Sequence, residues 1–529
     1  AAYPVGAPIL VWVGQYRDGQ PVPTEVEAPA RCAGKTGPMV LVRDHGWIAL
    51  THVFHCADPA EQRELFLDAR RIEIESAELR VEYGPASGPL QWTAPRQARG
   101  GELVVFELDG LWPDLAFSYR VSVRRPNEPE FRPREIYTTR TTRSPGSTVT
   151  FAVAADTHAF ALWSDRNCGS APVQPWLTLV NTLERIRAND SLDFVVTGSD
   201  SVMTRCGTGC PPCAVDGLPT AEGNAAGPLD ARLRYRQVFG PEIYGLLGPE
   251  RPLLHVLGDH DGEQGWAGSC SLEPEMARWS EDARNAHVPP IPQAYGGDPD
   301  GRFYALRSGD VLLVVLDVLS QTVAPLDTPE SYTLGARQLD WFGRTLAESD
   351  ATFKIVLAEH LLGGISSPTA NCWKGRGGIR STTDGLPTSG FLGEQALVHE
   401  IMKTHGAQLF LSFHDQVVAV GEKPDAFGQG EGVVYALGGR AGGVGNGWAN
   451  QDWYRTAMDY DLDGVPEYDT GLTGTRSSGW FEVTAFGGER LRPEYRRSSA
   501  ALGAEADVLV EFEIAPEGGL LSVGGLPVR

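Results

Sequence analysis

Acidic and histidine residues stand just after several short apolar runs in the middle of the chain. A near-continuous apolar run such as 311–318 is typical of a β-strand buried on both faces. Carboxylate and imidazole groups repeated at strand ends are the ligands that a pair of metal ions needs. The segments, in chain order, are Asp156-Thr157-His158, Ser199-Asp200, Gly258-Asp259-His260-Asp261, His360 and His414-Asp415-Gln416.

Predicted strands alternate with predicted helices from about residue 147 onward. A helix is indicated where apolar residues recur every three or four positions, as at Leu179, Leu183 and Ile186. The alternation predicts an α/β core, in which ligands bind beyond the carboxyl ends of the strands. The predicted strands are 150–155, 194–197, 253–257, 311–318, 355–358 and 409–412, with further strands from 480, and the predicted helices are 176–188, 338–346 and 394–404.

The first part of the chain has no long helical pattern. Stretches such as 71–75 and 79–83 alternate between polar and apolar residues, which predicts strands. We therefore expect an N-terminal all-β sandwich domain at 1–146. Its Leu111-Trp112-Pro113 turn, which precedes a Tyr-containing strand at 117–121, resembles that of a fibronectin type III domain. Any other small β-sandwich is the alternative.

A polar segment separates this region from the α/β part of the chain. Residues 141–147 contain Pro145 and Gly146 and are predicted to be a linker. The second predicted domain is 147–500. The last segment, 501–529, is predicted to form strands that pack on that domain.

The charge of the chain limits its partners. The 529 residues carry a formal net charge of -23, which argues against binding to nucleic acids or anionic membranes, because phosphate groups would be repelled. No apolar run reaches the ~20 residues that span a bilayer, so no transmembrane segment is expected. The sequence indicates no particular protein partner.

The cysteines and the first residues favour an exported protein. Eight cysteines, an even number, indicate up to four disulfides. Cys32 and Cys56 are expected to pair. The cluster Cys206-x3-Cys210-x2-Cys213 fits disulfides better than a zinc knuckle, because it lies in a Gly- and Pro-rich segment without a nearby His. The start Ala1-Ala2 resembles the product of signal-peptide cleavage, and we expect a secreted, periplasmic or cell-surface location.

The order of the polar segments resembles that of the calcineurin-like metallophosphoesterases. In that family the order is Asp-x-His, Asp, Gly-Asn-His-Asp/Glu, His and Gly-His-x-His, and the resemblance covers about residues 148–500. The helix at Gln338-Leu339-Asp340-Trp341 is similar to one in purple acid phosphatases, and the Gly turn at Gly438-Gly439 to one in the family. A fibronectin-like domain before the catalytic domain is the arrangement of purple acid phosphatases and PhoD-like alkaline phosphatases. The resemblance implies a four-layer α/β fold, a β-sandwich flanked by helices.

The resemblance also implies a role for each matching residue. Each segment taken alone has a plainer alternative: Asp156-Thr157-His158 is then a turn, and His360 a core histidine. Two divalent or mixed-valence metal ions are expected, of Fe, Zn or Mn, with Ca as an alternative. The implied roles are Asp156, His158 and Gln416 on the first metal, Asp200 as the bridge, Asp259, His360 and His414 on the second metal, His260 as proton donor, and Asp261 as the group that orients His260.

The sequence departs from the family pattern around the predicted metal ligands. Asp259 replaces an Asn and adds a negative charge. Gln416 replaces an imidazole, and an amide oxygen is a much weaker ligand for zinc or iron. Phe413 replaces a Gly that allows a close backbone turn, and Ser199 replaces another Gly. We therefore expect the first metal site to be the weakened one.

A second cation site is predicted in an acidic loop. Carboxylates alternate along Asp459, Asp461 and Asp463 before a Gly, as in a calcium loop. Val465 and Glu467 would supply further oxygens. The twelfth position is Thr470, so the loop is not a complete EF-hand, and a solvated acidic turn is the alternative. A calcium ion here would be structural.

The function expected from the resemblance is hydrolysis of a phosphomonoester or phosphodiester by a metal-bound hydroxide. The substrate would be a phosphate ester, and the enzyme a metal-dependent phosphoric ester hydrolase. The alternative is a catalytically weak or inactive protein of the same fold that serves as an extracellular binding or assembly component. Arg440, within Gly439-Arg440-Ala441-Gly442, is a candidate phosphate contact, although a plain turn residue is the favoured interpretation.

Overall fold

The computed structural model describes most of the second predicted domain and parts of the first. The predicted strand at 71–75, the eight cysteines and the acidic loop 459–467 lie outside the described residues. The described residues are 8–12, 15–17, 20–22, 40–44, 47–55, 77–98, 104–126, 128–162, 174–204, 224–225, 227–240, 243–263, 275–288, 295–321, 333–360, 394–414, 416, 418–424, 430–442, 478–498 and 506–524.

The regular elements among the described N-terminal residues are all strands. These strands are β1 Pro8–Trp12, β2 Gln15–Arg17, β3 Gln20–Val22, β4 Val40–Asp44, β5 Trp47–His55, β6 Ala77–Pro85, β7 Gln91–Trp92, β8 Arg96–Ala98, β9 Ala116–Arg124, β10 Arg132–Pro133 and β11 Tyr137–Arg140. One sheet has the order β1-β5-β4, β2 pairs with β3, and a six-stranded sheet has the order β10-β9-β6-β7, with β11 on β9 and β8 on β6. The fibronectin type III-like assignment and the division into 1–146, 147–500 and 501–529 stay predictions.

Two large mixed sheets form the centre of the molecule. The first has the order β14-β13-β12-β21-β22-β23-β24 and the second the order β15-β16-β17-β18-β20-β19. Their strands are β12 Val149–Ala154, β13 Phe194–Thr197, β14 Leu253–His255, β15 Tyr304–Ser308, β16 Val311–Val315, β17 Phe353–Ala358, β18 Leu409–Ser412, β19 Val418–Pro424, β20 Gly430–Gly438, β21 Gly479–Ala485, β22 Leu491–Arg497, β23 Asp507–Ile514 and β24 Leu520–Gly524.

Helices cover the outer face of each sheet. They are α1 Gln174–Arg187, α2 Pro228–Val238, α3 Met276–Asn285, α4 Gly335–Glu348 and α5 Glu394–Thr404. Leu179 and Leu183 of α1 pack with the outward side chains of the first sheet, and Phe342 of α4 with those of the second. The layers therefore run helix, sheet, sheet, helix, and the predicted α/β sandwich class is confirmed.

The strands next to the site are buried on both faces. In β12, Phe151 and Val153 point into the core between the two sheets, whereas Ala152 and Ala154 pack under the helices. Such strands read as unbroken apolar runs because neither face meets water. β12, β13 and β14 are parallel neighbours, as are β16, β17, β18 and β20. Their carboxyl ends therefore open at the same end of each sheet.

The segment predicted as a linker lies against the sandwich. The backbone N–H of Arg143 donates to Ser308 Oγ at 3.0 Å, and that of Gly309 donates to the Arg143 carbonyl at 2.8 Å. The Arg143 guanidinium also pairs with the buried Asp193 carboxylate, with Nε 2.7 Å from Oδ1. The backbone of 141–147 is thus bonded to the sandwich that follows it.

Candidate metal centre

The candidate ligands follow strands that end level with one another. Ala154 of β12 pairs with Thr197 of β13, and Thr197 pairs with His255 of β14. In the second sheet, Ala358 of β17 pairs with Ser412 of β18. The loops that carry the predicted metal ligands begin within a few residues of these positions, so two rigid sheets supply the site.

Five of the predicted metal ligands have a left-handed backbone although none is a glycine. Non-glycine residues with this conformation cost free energy and concentrate at functional sites. The five are Asp156 at φ 40°, His158 at φ 45°, Asp200 at φ 56°, His414 at φ 64° and Gln416 at φ 58°.

Hydrogen bonds hold these strained loops in place. His158 N–H donates to the Asp200 carbonyl at 2.8 Å, and His414 N–H donates to Asp156 Oδ2 at 3.0 Å. The Tyr244 hydroxyl lies 2.8 Å from Thr157 Oγ1 and 3.0 Å from Ser201 Oγ. The first two loops are therefore bound to each other, and the first is bound to the loop after β18.

One group of ligand atoms joins loops from both sheets. It consists of one atom each from Asp200, Asp259, Glu359 and His414, all within 4.8 Å of one another. His414 Nδ1 lies 3.3 Å from Glu359 Oε1 and 3.5 Å from Asp259 Oδ1. His360 forms a second group with Glu359 and His414, and the His360 and His414 ring centroids are 4.3 Å apart. Asp200, Asp259, His360 and His414 thus converge where the second metal was predicted.

Glu359 is a candidate ligand that the sequence analysis missed. It is fully buried and immediately precedes His360. Among the described residues, its Oε2 atom has no hydrogen-bond partner. The sequence signal was present, because a charged residue directly after the apolar run 355–358 is costly to bury unless something pairs with it.

The electrostatics of the centre favour a bound cation. Burial, together with the charges of Glu359 and Asp200, raises the pKa of Asp156 well above its usual value. Burial and the Asp200 charge raise the pKa of Glu359 likewise. Burial alone would lower the pKa of His414, but its hydrogen bonds to Asp259 and Glu359 outweigh burial and raise it well above the usual value. Close buried carboxylates repel one another until a cation neutralises them.

The first-metal half of the centre has different neighbours. His158, Asp200 and His260 form a third group of potential ligand atoms, with the His158 and His260 ring centroids 5.4 Å apart. His158 Nε2 lies 3.4 Å from Asp200 Oδ2 and 3.4 Å from Gln416 Nε2. The Arg440 guanidinium also reaches this half: Nη1 donates to Gln416 Oε1 at 3.1 Å, and Nη2 lies 3.3 Å from His158 Nδ1.

The donor atoms of the second-metal group fit an ion, whereas two of the predicted first-metal ligands face a guanidinium instead. In the second-metal group the buried Glu359 Oε2 has no hydrogen-bond partner among the described residues. Carboxylate oxygens and imidazole nitrogens suit Mn, Fe and Zn. In the first-metal half, both the Gln416 amide oxygen and His158 Nδ1 already face the guanidinium. Asp156 Oδ1, buried and with no hydrogen-bond partner among the described residues, is the remaining acceptor there.

The Asp261 carboxylate links its own loop, after β14, to the loop after β13. Val202 N–H donates to Asp261 Oδ1 at 2.8 Å, and Gly258 N–H donates to Asp261 Oδ2 at 3.0 Å. His255 Nε2 lies 3.7 Å from Oδ2. Burial and the Asp200 charge raise the pKa of Asp261 to about 7. That Asp261 orients the His260 ring stays a prediction, since these contacts tie its carboxylate to the backbone and to His255.

Two glycines allow the loops to approach closely. A Cβ at Gly258 would lie 2.2 Å from Asp200 N and 2.3 Å from Asp200 Oδ1. A Cβ at Gly438 would lie 2.8 Å from Phe413 Cδ1. Phe413, which replaces a family glycine, is buried between the sheets. Because Gly438 has no side chain, there is room beside it for the Phe413 ring.

Comparison with known proteins gives structural relatives only. No protein-family model and no curated protein matches the sequence. PhoD superposes with a TM-score of 0.59 at 15% identity, over 95% of this chain and 94% of PhoD. The purple acid phosphatase PPD1 from yellow lupin (Lupinus luteus) seeds superposes with a TM-score of 0.50 at 15% identity, over 83% of this chain and 70% of the lupin chain. The chain has the metallophosphoesterase fold.

The metallophosphoesterase fold confirms the resemblance at the level of architecture. At 15% identity the likeness to these two structures shows the fold alone. No described helix has both the length and the apolar character to cross a bilayer. The site assignments therefore depend on the geometry given above.

Proposed function

We propose that the chain is a metal-dependent hydrolase of phosphate esters. The observation that carries the proposal is the convergence of Asp200, Asp259, Glu359 and His414 at the carboxyl ends of strands from both sheets. Four ligand atoms within 4.8 Å of one another, with one buried carboxylate oxygen of Glu359 left without a hydrogen-bond partner in the described residues, favour a bound ion.

An ion held there would polarise a phosphoryl oxygen and lower the pKa of a nearby water. Asp200 lies between the two halves of the centre, because it belongs to the group with His158 and to the group with Glu359. Its Oδ1 atom also accepts a hydrogen bond from His260 N–H at 3.0 Å, which holds the backbone from which the His260 side chain projects. The His260 side chain is 24% exposed. It is thus accessible to a substrate, and we assign it the delivery of a proton to the leaving oxygen.

We also propose the identity of the metal ions and the cellular location of the protein. Fe, Zn or Mn suits the mixed oxygen and nitrogen ligands of the second-metal group. The eight cysteines favour an exported protein, and the acidic residues from Asp459 to Glu467 favour a separate structural calcium ion. Phosphomonoesters and phosphodiesters are both proposed as substrates.

The test is hydrolysis by the purified protein after its metal content has been defined. The chain is stripped with a chelator and reloaded with Mn, Zn or Fe in the presence of Ca. Release of nitrophenol from p-nitrophenyl phosphate and from bis(p-nitrophenyl) phosphate is then measured. We expect hydrolysis of at least one ester, and a fall of about 10- to 100-fold or more in His414→Ala, which loses a ligand of the second-metal group.

The matched control is His405→Ala, because His405 follows α5 and belongs to none of the ligand groups. Its activity should equal that of the original chain. A protein that binds metal and hydrolyses neither ester would contradict the proposal. It would favour the alternative, an extracellular binding or assembly component with this fold.

A further inference from the structure

Arg440 is held firmly at the edge of the metal centre. The N–H of the next residue, Ala441, donates to the Ala155 carbonyl at 2.8 Å, and Gly479 N–H donates to the Arg440 carbonyl at 2.8 Å. Gly439 before it has φ 69°, and a Cβ at that glycine would lie 2.5 Å from the Tyr495 hydroxyl. The backbone therefore fixes the direction in which the Arg440 side chain leaves.

The Arg440 guanidinium bonds to two of the residues predicted to hold the first metal. An arginine nitrogen only donates hydrogen bonds, so His158 Nδ1, 3.3 Å from Nη2, must be the acceptor. Nε2 of the same ring lies 3.4 Å from Asp200 Oδ2 and 3.4 Å from Gln416 Nε2. Gln416 Oε1, the one atom by which that side chain binds a metal, accepts from Nη1 at 3.1 Å.

This arrangement conflicts with an ion in the first site. A metal held by Gln416 and by His158 Nδ1 would need the Gln416 oxygen and the lone pair of that ring nitrogen, yet both atoms face the guanidinium. A divalent ion among these atoms would also repel the permanently charged guanidinium.

We propose that Arg440 takes the place of the first metal ion, so that the centre holds a single transition-metal ion in the second-metal group. The inference builds on the proposed function, because it assigns the charge of the other half of the same site. Arg440, Gln416 and His158 act together: Gln416 is the neutral partner that accepts from the guanidinium, where an imidazole would compete for the metal. The guanidinium supplies fixed positive charge on that side for a phosphoryl oxygen.

The replacement of the first metal ion by the Arg440 guanidinium is consistent with the charges in the centre. Asp156 and Asp200 are buried carboxylates on this side of the centre, and close buried carboxylates repel one another. A guanidinium carries half the charge of a divalent ion, so it neutralises part of this repulsion, and the ion in the second-metal group supplies the rest.

The test is a count of metal ions that does not depend on catalysis. The chain is stripped, loaded with Mn²⁺, freed of excess ion and analysed by elemental analysis and electron paramagnetic resonance. With Ca²⁺ present in the loading to fill the calcium loop proposed at 459–467, we expect about one Mn²⁺ per chain and the spectrum of an isolated ion. His158→Ala should leave this count unchanged, whereas Glu359→Gln should lower the affinity for Mn²⁺ by about 10-fold or more.

The double variant Arg440→Ala/Gln416→His removes the guanidinium and restores an imidazole. We expect its Mn²⁺ count to rise to about two, with the spectrum of a coupled pair, and to return to about one when His158→Ala is added. Arg497→Ala is the matched control, because the Arg497 side chain pairs with Asp507 on the surface and Arg497 belongs to none of the ligand groups. Its count should not change.

Two results would overturn the inference. One is a count of about two in the original chain that falls with His158→Ala. The other is a correctly folded double variant, judged by circular dichroism, whose count stays at about one. If the double variant does not fold, the His158→Ala count in the original chain decides alone. One bound ion without ester hydrolysis would contradict the proposed function and leave this inference standing.

Discussion

At the scale of single residues, the buried carboxyl of Glu359 contributes differently with and without metal. Without an ion it adds to the repulsion among Asp156, Asp200 and Asp259, and its own pKa is raised by burial and by Asp200. We therefore expect Glu359→Gln, which keeps the shape, to leave the metal-free protein as stable as before or more stable. The same change should reduce the rise in melting temperature on adding Mn²⁺, measured by calorimetry with and without chelator.

The control for this prediction is Glu348→Gln, which removes one charge from the exposed end of α4. It should change neither melting temperature. A metal-free Glu359→Gln protein that is much less stable than the original chain would mean that the carboxylate is needed by the protein itself and not by an ion.

Gly258 tests how closely the loops of the centre must approach. Its φ of -114° is open to any residue, so the requirement for glycine comes from space. A Cβ would lie 2.2 Å from the Asp200 backbone nitrogen. We expect Gly258→Ala to cost about 1–3 kcal/mol of unfolding free energy and to weaken metal binding, measured by urea denaturation and metal titration. An unchanged affinity would show that Asp200 does not need its present position.

The residues that could be predicted from the sequence are those that match the family order after a strand. Asp200, Asp259 and His414 were predicted in this way and belong to one group of ligand atoms, and His360 belongs to a second group that shares His414. Glu359 was missed because it directly precedes His360 and the family order assigns it no role. The contacts of Arg440 were missed because they depend on Gly439 and on the pairing of the next residue with Ala155, which are set by tertiary structure and leave no local pattern.

At the scale of the elements, the two-sided burial of the central strands made them easy to predict. The predicted strands 194–197 and 409–412 and the predicted helix 394–404 agree with the observed bounds. α2 and α3 were not predicted. In α2 the buried face contains the ion pair of Asp230 and Arg234 beside Ala231, Tyr235 and Val238. The apolar period on which the prediction depended was therefore weak in α2.

The contact between β18 and β20 predicts the effect of filling Gly438. A Cβ there would lie 2.8 Å from Phe413 Cδ1 and 2.9 Å from Ala155 Cβ. We expect Gly438→Ala to destabilise the protein by about 1–3 kcal/mol, because a core packed on both sides cannot move aside. Thermal and urea denaturation would measure the change. Gly343→Ala is the matched control, since its Cβ meets nothing within 4 Å inside α4, and it should raise stability by about 0.5–1 kcal/mol.

At the scale of the whole molecule, the six-stranded N-terminal sheet is attached to the sandwich by specific contacts. Tyr119 of β9 donates from its hydroxyl to the Pro249 carbonyl at 2.6 Å. Gly146 N–H donates to Asp310 Oδ2 at 2.6 Å, and Ser144 N–H donates to Asp114 Oδ2 at 2.9 Å. Composition alone predicted a linker at 141–147, because Pro, Gly and polar residues are typical of both free linkers and docked turns.

Arg143 is the charged part of this attachment and gives the last prediction. It pairs with Asp193, whose side chain is 4% exposed and whose Oδ2 accepts from Thr150 N–H of β12 at 3.1 Å. Arg143→Ala would leave that carboxylate buried and unpaired, and we expect a loss of about 3–5 kcal/mol. Asp193→Asn in the same chain should recover part of this loss, as urea denaturation would measure. Arg132→Ala, whose side chain is 70% exposed, should cost less than about 1 kcal/mol, and an equally small cost for Arg143→Ala would contradict the docked arrangement.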